Sequence, residues 1–99
     1  MSVLVIGKFQ GDTATFRKSL TDWADEFVKI AEEAKSAGAL HHRFGVGEDY
    51  VVIMDEWESI EQFHQFFGNP ELQAFIGSVG GTGAPEMIVS EAVASADQF

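Results

Sequence analysis

Two side chains of this sequence could form a catalytic pair, the imidazole of His42 and the carboxylate of Asp55. They lie on either side of Glu48-Asp49, a segment with the length and composition of a tight hairpin loop. If these two residues are the whole loop, antiparallel pairing places His42 opposite Asp55. A carboxylate that orients an imidazole is the basic unit of general-base catalysis. A three-residue loop would instead pair His41 with Asp55, and a pair of this kind can also serve only to fix strand register.

The same register predicts which side chains share a face with His42. Alternate residues of the two strands point to one side of the sheet, and this side is bulky and mostly apolar. Its members are Leu40, His42, Phe44 and Val46 on one strand and Val51, Ile53, Asp55 and Trp57 on the next. We assign this face to the side covered by helices, so the predicted pair is a polar pair in an apolar cavity.

Aromatic side chains are the candidates for the wall of that cavity. The sequence has nine phenylalanines and two tryptophans, and apolar ligand pockets are lined mainly by such residues. We expect Trp57, Phe44, Phe63 and Trp23 to contact a bound substrate. The alternative is that they only fill the core, which is the commoner role of a buried aromatic residue.

The remaining polar residues do not form a recognisable catalytic set. Arg43 lies on the opposite face, beside His41 and Glu56, where an ion pair at a subunit interface is expected. His64 is expected at the surface of a helix. Residues 77–85, GSVGGTGAP, lack the lysine of a phosphate-binding loop and are expected to form a mobile connection. Because cysteine is absent and no histidine–carboxylate cluster has ligand spacing, no metal site is expected.

Hydrophobic patterns predict four strands and the helices between them. One helix is expected between the first two strands, since Asp12 is a good N-cap and Gly38 a good residue for its end. Ser59, with Gln62 at capping-box spacing, begins a second helix, and Asn69-Pro70 begins a further short one. The strands are predicted at 3–9, 39–46, 50–57 and roughly 86–93.

The order β-α-β-β-α-β is that of a ferredoxin-like α+β domain, with an antiparallel four-stranded sheet and helices on one face. We expect one such domain over residues 1–99, with the first and third strands central. The third strand is apolar on both sides, since Val52 and Met54 alternate with Val51 and Ile53. A chain of this length has helices for one face only, so a second copy of the chain is expected to cover the other.

A local motif points to a known family. It consists of the strand end Asp55-Glu56-Trp57-Glu58-Ser59, then Ile60, Phe63 and Phe67, and the break Asn69-Pro70-Glu71-Leu72. With this motif and topology, the chain resembles the dimeric α/β-barrel superfamily, and within it the antibiotic biosynthesis monooxygenase-like (ABM) proteins. The resemblance implies two sheets packed face to face across a twofold axis, and a cavity between each sheet and its own helices.

The resemblance also bears on cofactors. Haem-degrading members of the superfamily carry an asparagine on the first strand and a histidine about nine or ten residues after the tryptophan that ends strand three. Trp57 matches, but the first strand has no asparagine, and Phe66 and Phe67 stand where the histidine would be. Neither haem nor another cofactor is therefore expected.

Composition excludes several classes of partner. A hydrophobic fraction of 45% against 22% charged residues indicates a folded chain. The net charge of −10 argues against nucleic acid and anionic membranes. All six lysines and arginines lie in residues 1–43. No run approaches the ~18 apolar residues of a membrane span, and the N-terminus lacks a signal-peptide pattern, so a cytoplasmic location is expected.

Three functions are compatible with these features. By resemblance, the chain would be a cofactor-independent monooxygenase for an aromatic, quinol-like or polyketide-like substrate, with His42 as the base in a dry apolar cavity. The alternative is a non-catalytic homodimeric module that binds a small apolar or aromatic metabolite. The third is an interaction protein whose cavity has collapsed. Cavity size separates the third function from the others, and the geometry of His42 and Asp55 separates the first two.

Overall fold

A computed structural model describes residues 2–99 and contains one antiparallel sheet. Its strands have the order β2-β3-β1-β4. The first and third strands are therefore central, as predicted, and the fold is the ferredoxin-like α+β arrangement. The strands are β1 (Val3–Gly11), β2 (Ala39–Val46), β3 (Tyr50–Trp57) and β4 (Gly81–Glu91).

Helices cover one face of this sheet. Three of them begin at the capping residues read from the sequence: Asp12, Ser59 and Asn69 each accept a hydrogen bond from a backbone N–H of the first turn. These bonds satisfy donors that a helix start otherwise leaves unpaired. The helices are α1 (Thr13–Asp22), α2 (Ala24–Ala37), α3 (Ile60–Phe67) and α4 (Pro70–Ser78). None of the helices in residues 2–99 is long and apolar enough to cross a membrane.

The prediction of one continuous helix between β1 and β2 is wrong. Trp23 has φ −119° and ψ 28°, outside helical geometry, and separates α1 from α2. Its N–H donates to the carbonyl of Ser19, and its own carbonyl accepts from the N–H groups of Glu26 and Phe27. The backbone of Trp23 therefore ends one helix and begins the next, and the two helices can take different directions over the sheet.

The two faces of the sheet differ in exposure. Side chains on the helix side are buried, among them Val5, Phe9, Val51, Ile53 and Trp57. We call the other side the open face. It carries the exposed apolar side chains of Leu4, Ile6, Met54 and Ile88.

The hairpin register is the predicted one from Val46 back to His41. His42 pairs with Asp55 and His41 with Glu56, as a two-residue loop requires. Beyond His41 the register shifts, and Ala39 rather than Leu40 stands opposite Trp57. Leu40 is the extra residue of a β-bulge, a feature common near sheet edges and functional sites.

The expectation of a connection over residues 77–85 is wrong for most of them, because they belong to α4 or β4. Helix α4 continues to Ser78 and β4 begins at Gly81. Gly81 pairs with Gly11 at the end of β1. A Cβ atom on Gly11 would lie 2.0 Å from the carbonyl oxygen of Gly80, so this close approach requires glycine. The register shift that follows lies in residues 83–85, and Pro85 is tolerated there because β4 is an edge strand with a bulge.

Candidate functional site

A cavity of about 640 Å³ lies between the sheet and the helices. The apolar core is divided into two clusters, one around Val5 and Trp57 and the other around Phe16 and Val51. Residues from both clusters line the cavity, and side chains from all four helices contribute. The volume is within the usual range for small-molecule sites. The core has therefore not collapsed onto the sheet.

Eight phenylalanines and Trp57 line the cavity, and several of their rings contact one another edge to face. At one end, Phe44 contacts Phe16 at a ring-centroid distance of 5.1 Å and Phe27 at 5.8 Å. At the other end, Trp57 contacts Phe63 at 5.7 Å. Such contacts favour fixed ring orientations. The wall is thus apolar and largely preformed.

His42 and Asp55 provide a hydrogen-bonded polar pair at this wall. His42 Nδ1 lies 2.6 Å from Asp55 Oδ1, a short contact for a nitrogen and an oxygen. The Asp55 side chain is 9% exposed, whereas that of His42 is 41% exposed. The predicted juxtaposition is confirmed, but the prediction that both groups are buried is wrong for His42. The reason is that β2 is an edge strand, so its side chains on the helix side are only partly covered.

A second hydrogen bond to Asp55 was not foreseen from the sequence. The indole Nε1–H of Trp57 donates to Asp55 Oδ2 at 3.2 Å. Trp57 itself is 1% exposed. The signal was present, because Asp55 and Trp57 are two residues apart on one strand and so share a face. The sequence predicts Trp57 only as a wall or core residue, and neither role uses its N–H group.

The four predicted substrate contacts have different outcomes. Trp57, Phe44 and Phe63 line the cavity. Trp23 is not among the lining residues of the described chain and is 57% exposed. The break between α1 and α2 explains this difference, since Trp23 leaves the helical stripe that Phe16 begins.

The open face carries polar groups of its own. His41 Nε2 lies 3.9 Å from Glu56 Oε1, and the hydroxyl of Ser2 donates to the same carboxylate group. The ammonium group of Lys8 lies 4.6 Å from the centre of the Tyr50 ring, a cation–π distance. These contacts tie neighbouring strands together on the side away from the cavity.

The arrangement can perform proton transfer in an environment of low polarity. An imidazole can accept a proton from a bound molecule, and a carboxylate beside it stabilises the imidazolium that forms. The apolar wall keeps water away from a reactive anion. Besides His42 and Asp55, the polar or charged residues of the described chain that line the cavity are Gln10, Asp12, Lys35, His41 and Arg43, and the rest of the lining is apolar side chains and glycine.

Comparison with known proteins finds likeness at the level of structure. No family profile matches the sequence, and no curated protein matches it. The structure superposes on SnoaB, a cofactor-independent oxygenase from Streptomyces nogalater, with a TM-score of 0.66 and 14% identity over 98% of both chains. It is similar to the ActVA-Orf6 monooxygenase of Streptomyces coelicolor, solved with the ligand Nanaomycin D, with a TM-score of 0.68 and 21% identity over 99% of this chain and 93% of that chain.

A third solved structure, of an antibiotic biosynthesis monooxygenase, gives a TM-score of 0.65 with 11% identity, covering 93% of this chain and 99% of that chain. Likeness at such low identity concerns the fold, because one fold can host unrelated activities. The strand order, the helices on one face and these near full-length superpositions agree. The chain therefore has the ferredoxin-like fold of the antibiotic biosynthesis monooxygenase-like proteins.

Proposed function

We propose that the protein is a cofactor-independent monooxygenase for an apolar aromatic substrate of the quinol or polyketide type. The observation that carries the proposal is the 2.6 Å contact between His42 Nδ1 and Asp55 Oδ1 at the wall of an apolar cavity. The structural likeness to SnoaB and ActVA-Orf6 supports it. Base, cavity and fold thus favour the same chemistry.

In this chemistry His42 removes a proton from an acidic C–H group of the substrate, and Asp55 stabilises the imidazolium. The substrate carbanion then reduces O2 and forms a C–O bond. When the O–O bond breaks, the remaining C–H bond of the same carbon also breaks, so that one oxygen atom stays in the product as a carbonyl and the other leaves as water. All the electrons come from the substrate carbon, so the reaction requires no cofactor, and the apolar wall protects the carbanion from water.

A non-catalytic binding module is the second candidate function. The exposure of His42 favours it, because a side chain that is 41% exposed keeps contact with water. An imidazole in this position could serve only to hold a polar group of an apolar metabolite at the rim. Oxygen consumption distinguishes the two functions.

We further propose that the protein is a homodimer joined through the open face. The exposed side chains of Leu4, Ile6, Met54 and Ile88 support this, since adjacent apolar residues on one sheet face favour burial against a partner. A stable interface would bury about 1,600 Å² in total. The cavity lies on the other side of the sheet, so each protomer would keep its own.

Oxygen uptake with anthrone, a tricyclic ketone with an acidic CH2 group, tests the proposed reaction. We expect the wild-type protein to consume oxygen faster than the uncatalysed reaction, and His42→Ala to lose ~10²–10⁴-fold of that rate. His64→Ala is the matched control, because His64 is an exposed residue of α3 outside the cavity lining.

Binding of anthraquinone, which has no such C–H group, is measured in parallel by the shift in unfolding temperature. Binding without any acceleration of oxygen uptake would support the second candidate function. Equal rates for His42→Ala and the wild-type protein would refute the assignment of His42 as the base.

A further inference from the structure

Asp55 uses its two carboxylate oxygens for two different partners. Oδ1 lies 2.6 Å from His42 Nδ1, and Oδ2 accepts the indole N–H of Trp57 at 3.2 Å. The three side chains therefore form a continuous chain of hydrogen bonds from the core to the rim of the cavity. Exposure rises along it, from 1% at Trp57 through 9% at the Asp55 side chain to 41% at that of His42.

The indole group determines which atoms donate and which accept in this series of hydrogen bonds. An indole N–H can only donate a hydrogen bond, whereas each imidazole nitrogen can donate or accept, depending on the tautomer. An ionised carboxylate can only accept hydrogen bonds, and Asp55 accepts the indole N–H at Oδ2. Asp55 Oδ1 therefore accepts from an Nδ1–H group of His42, and Nε2 of the neutral imidazole is left with the free lone pair.

We propose that Trp57 is a positioning residue that, through Asp55, fixes His42 in the Nδ1–H tautomer. The base would then be Nε2, the only ring nitrogen able to accept a proton. The catalytic consequence rests on the proposed function. The hydrogen-bond chain itself does not, and it can be tested without substrate or turnover.

The surroundings of Trp57 are suited to this role. Its ring is packed against Phe63 at 5.7 Å and Phe66 at 5.4 Å between centroids, and the buried cluster around it includes Val5. The ring is therefore held by the core while its polar edge meets the carboxylate. No buried side-chain nitrogen or oxygen in the described residues lacks a hydrogen-bond partner. Loss of the indole N–H would leave Asp55 Oδ2 without this donor and the carboxylate free to turn.

The test uses nitrogen-15 NMR of the intact protein. At alkaline pH, the Nδ1 of His42 should give the shift of a protonated ring nitrogen and its Nε2 that of an unprotonated one. In Trp57→Phe, which keeps an aromatic ring but loses the N–H, we expect the His42 signals to move toward a mixture of tautomers. Trp23→Phe is the matched control, since Trp23 is exposed and lies outside the cavity, and it should leave these signals unchanged.

A second measurement keeps Trp57 in place. The sequence has two tryptophans, so the protein gives two indole N–H signals, and the signal lost in Trp57→Phe identifies that of Trp57. Asp55→Asn should shift the Trp57 signal and leave that of Trp23 in place. The Nε2–H tautomer in the wild-type protein would overturn the proposal without any variant. So would an unchanged tautomer in folded Trp57→Phe, or a Trp57 signal that does not move in Asp55→Asn.

If oxygen uptake is found, Trp57→Phe should lower kcat with little change in KM, and by less than His42→Ala does. If no uptake is found but the tautomer shifts as described, the positioning role stands and the proposed reaction fails. If the protein consumes oxygen but the tautomer of His42 is unchanged in Trp57→Phe, the proposed reaction stands and the positioning role of Trp57 fails.

Discussion

Asp55 and Glu56 are neighbours on β3, yet their carboxylates lie on opposite faces of the sheet, and each meets a different histidine of β2. Asp55 Oδ1 is 2.6 Å from His42 Nδ1 on the cavity side, and Glu56 Oε1 is 3.9 Å from His41 Nε2 on the open face. The period of two along a strand creates this division. Only the pair in the cavity has hydrogen-bond geometry, because 3.9 Å is too long for a direct bond.

Removal of Asp55 should destabilise the protein more than removal of His42. Asp55→Ala leaves the buried N–H of Trp57 without its acceptor, which should cost about 1–3 kcal/mol in the free energy of unfolding. His42→Ala removes a more exposed side chain, and Asp55 keeps its bond to Trp57, so a loss of about 1 kcal/mol or less is expected. Urea denaturation of both variants measures the difference. If His42→Ala lost more stability than Asp55→Ala, the hydrogen bond from Trp57 to Asp55 would not be an important contribution to the free energy of unfolding.

Two glycines should respond in opposite directions to substitution by alanine. Gly38 has φ +122°, and a Cβ atom there would lie 2.6 Å from the side chain of Gln62, so Gly38→Ala should lose about 1–3 kcal/mol of stability. Gly77 lies within α4 with no atom within 4 Å of a Cβ, so Gly77→Ala should gain about 0.5–1 kcal/mol. Thermal unfolding of the two variants is a matched comparison. Equal effects would argue against the backbone geometry at Gly38.

The N-cap of α1 should make stability depend on pH in the acid range. Hydrogen bonds from the backbone N–H and then the hydroxyl of Thr15 hold the pKa of Asp12 below its ordinary value of 3.8. Because the folded-state pKa is lowered, the stabilisation is fully present above the ordinary value and is lost as the pH falls through the folded value. Asp12→Asn should therefore unfold at a lower temperature than the wild-type protein near neutral pH, and the difference should vanish in strong acid.

Glu33→Gln is the control for the lost charge, since Glu33 is exposed in the middle of α2. It should not reproduce the pH dependence of Asp12→Asn. A stability difference for Asp12→Asn that stayed constant down to the lowest pH would contradict a role for the ionised carboxylate.

A charge placed on the open face should separate the proposed dimer. Met54→Glu puts a carboxylate among exposed apolar side chains of the central strands, and burial of an unpaired charge is strongly unfavourable. We expect the light-scattering mass to fall to that of the monomer at micromolar concentration, with the circular dichroism unchanged. Val93→Glu adds the same charge beyond the end of β4 and should remain dimeric. A wild-type protein that is itself monomeric would refute the proposed interface.

The register of the cavity strands was accessible from the sequence because two local rules agreed there. A two-residue loop at Glu48-Asp49 and the alternation of apolar residues in β3 both place His42 opposite Asp55. The caps at Asp12, Ser59 and Asn69 are likewise local, since each bond joins residues two or three apart. Features of this kind depend on residues that are close in the sequence, so they can be predicted from it.

The features that could not be predicted depend on contacts between residues far apart in the sequence. Helical spacing continues across Trp23, so nothing local marks the break between α1 and α2. Glycine disfavours strands, yet Gly81 is paired because β1 approaches it at Gly11. The exposure of His42 follows from the edge position of β2, and the bond from Trp57 to Asp55 depends on how the core turns the indole.

The unfilled volume under the helices has a consequence for how this protein could evolve or be engineered. Helix α2 presents Ala31 and Ala34 to the cavity, where larger apolar side chains would add contacts and bury more surface. Filling such space is a common route to higher stability, and its recurrent cost is lost function. Larger apolar side chains at Ala31 and Ala34 are therefore expected to raise the free energy of unfolding. A variant stabilised by larger apolar side chains on α2 would lose the space in which a ligand could bind.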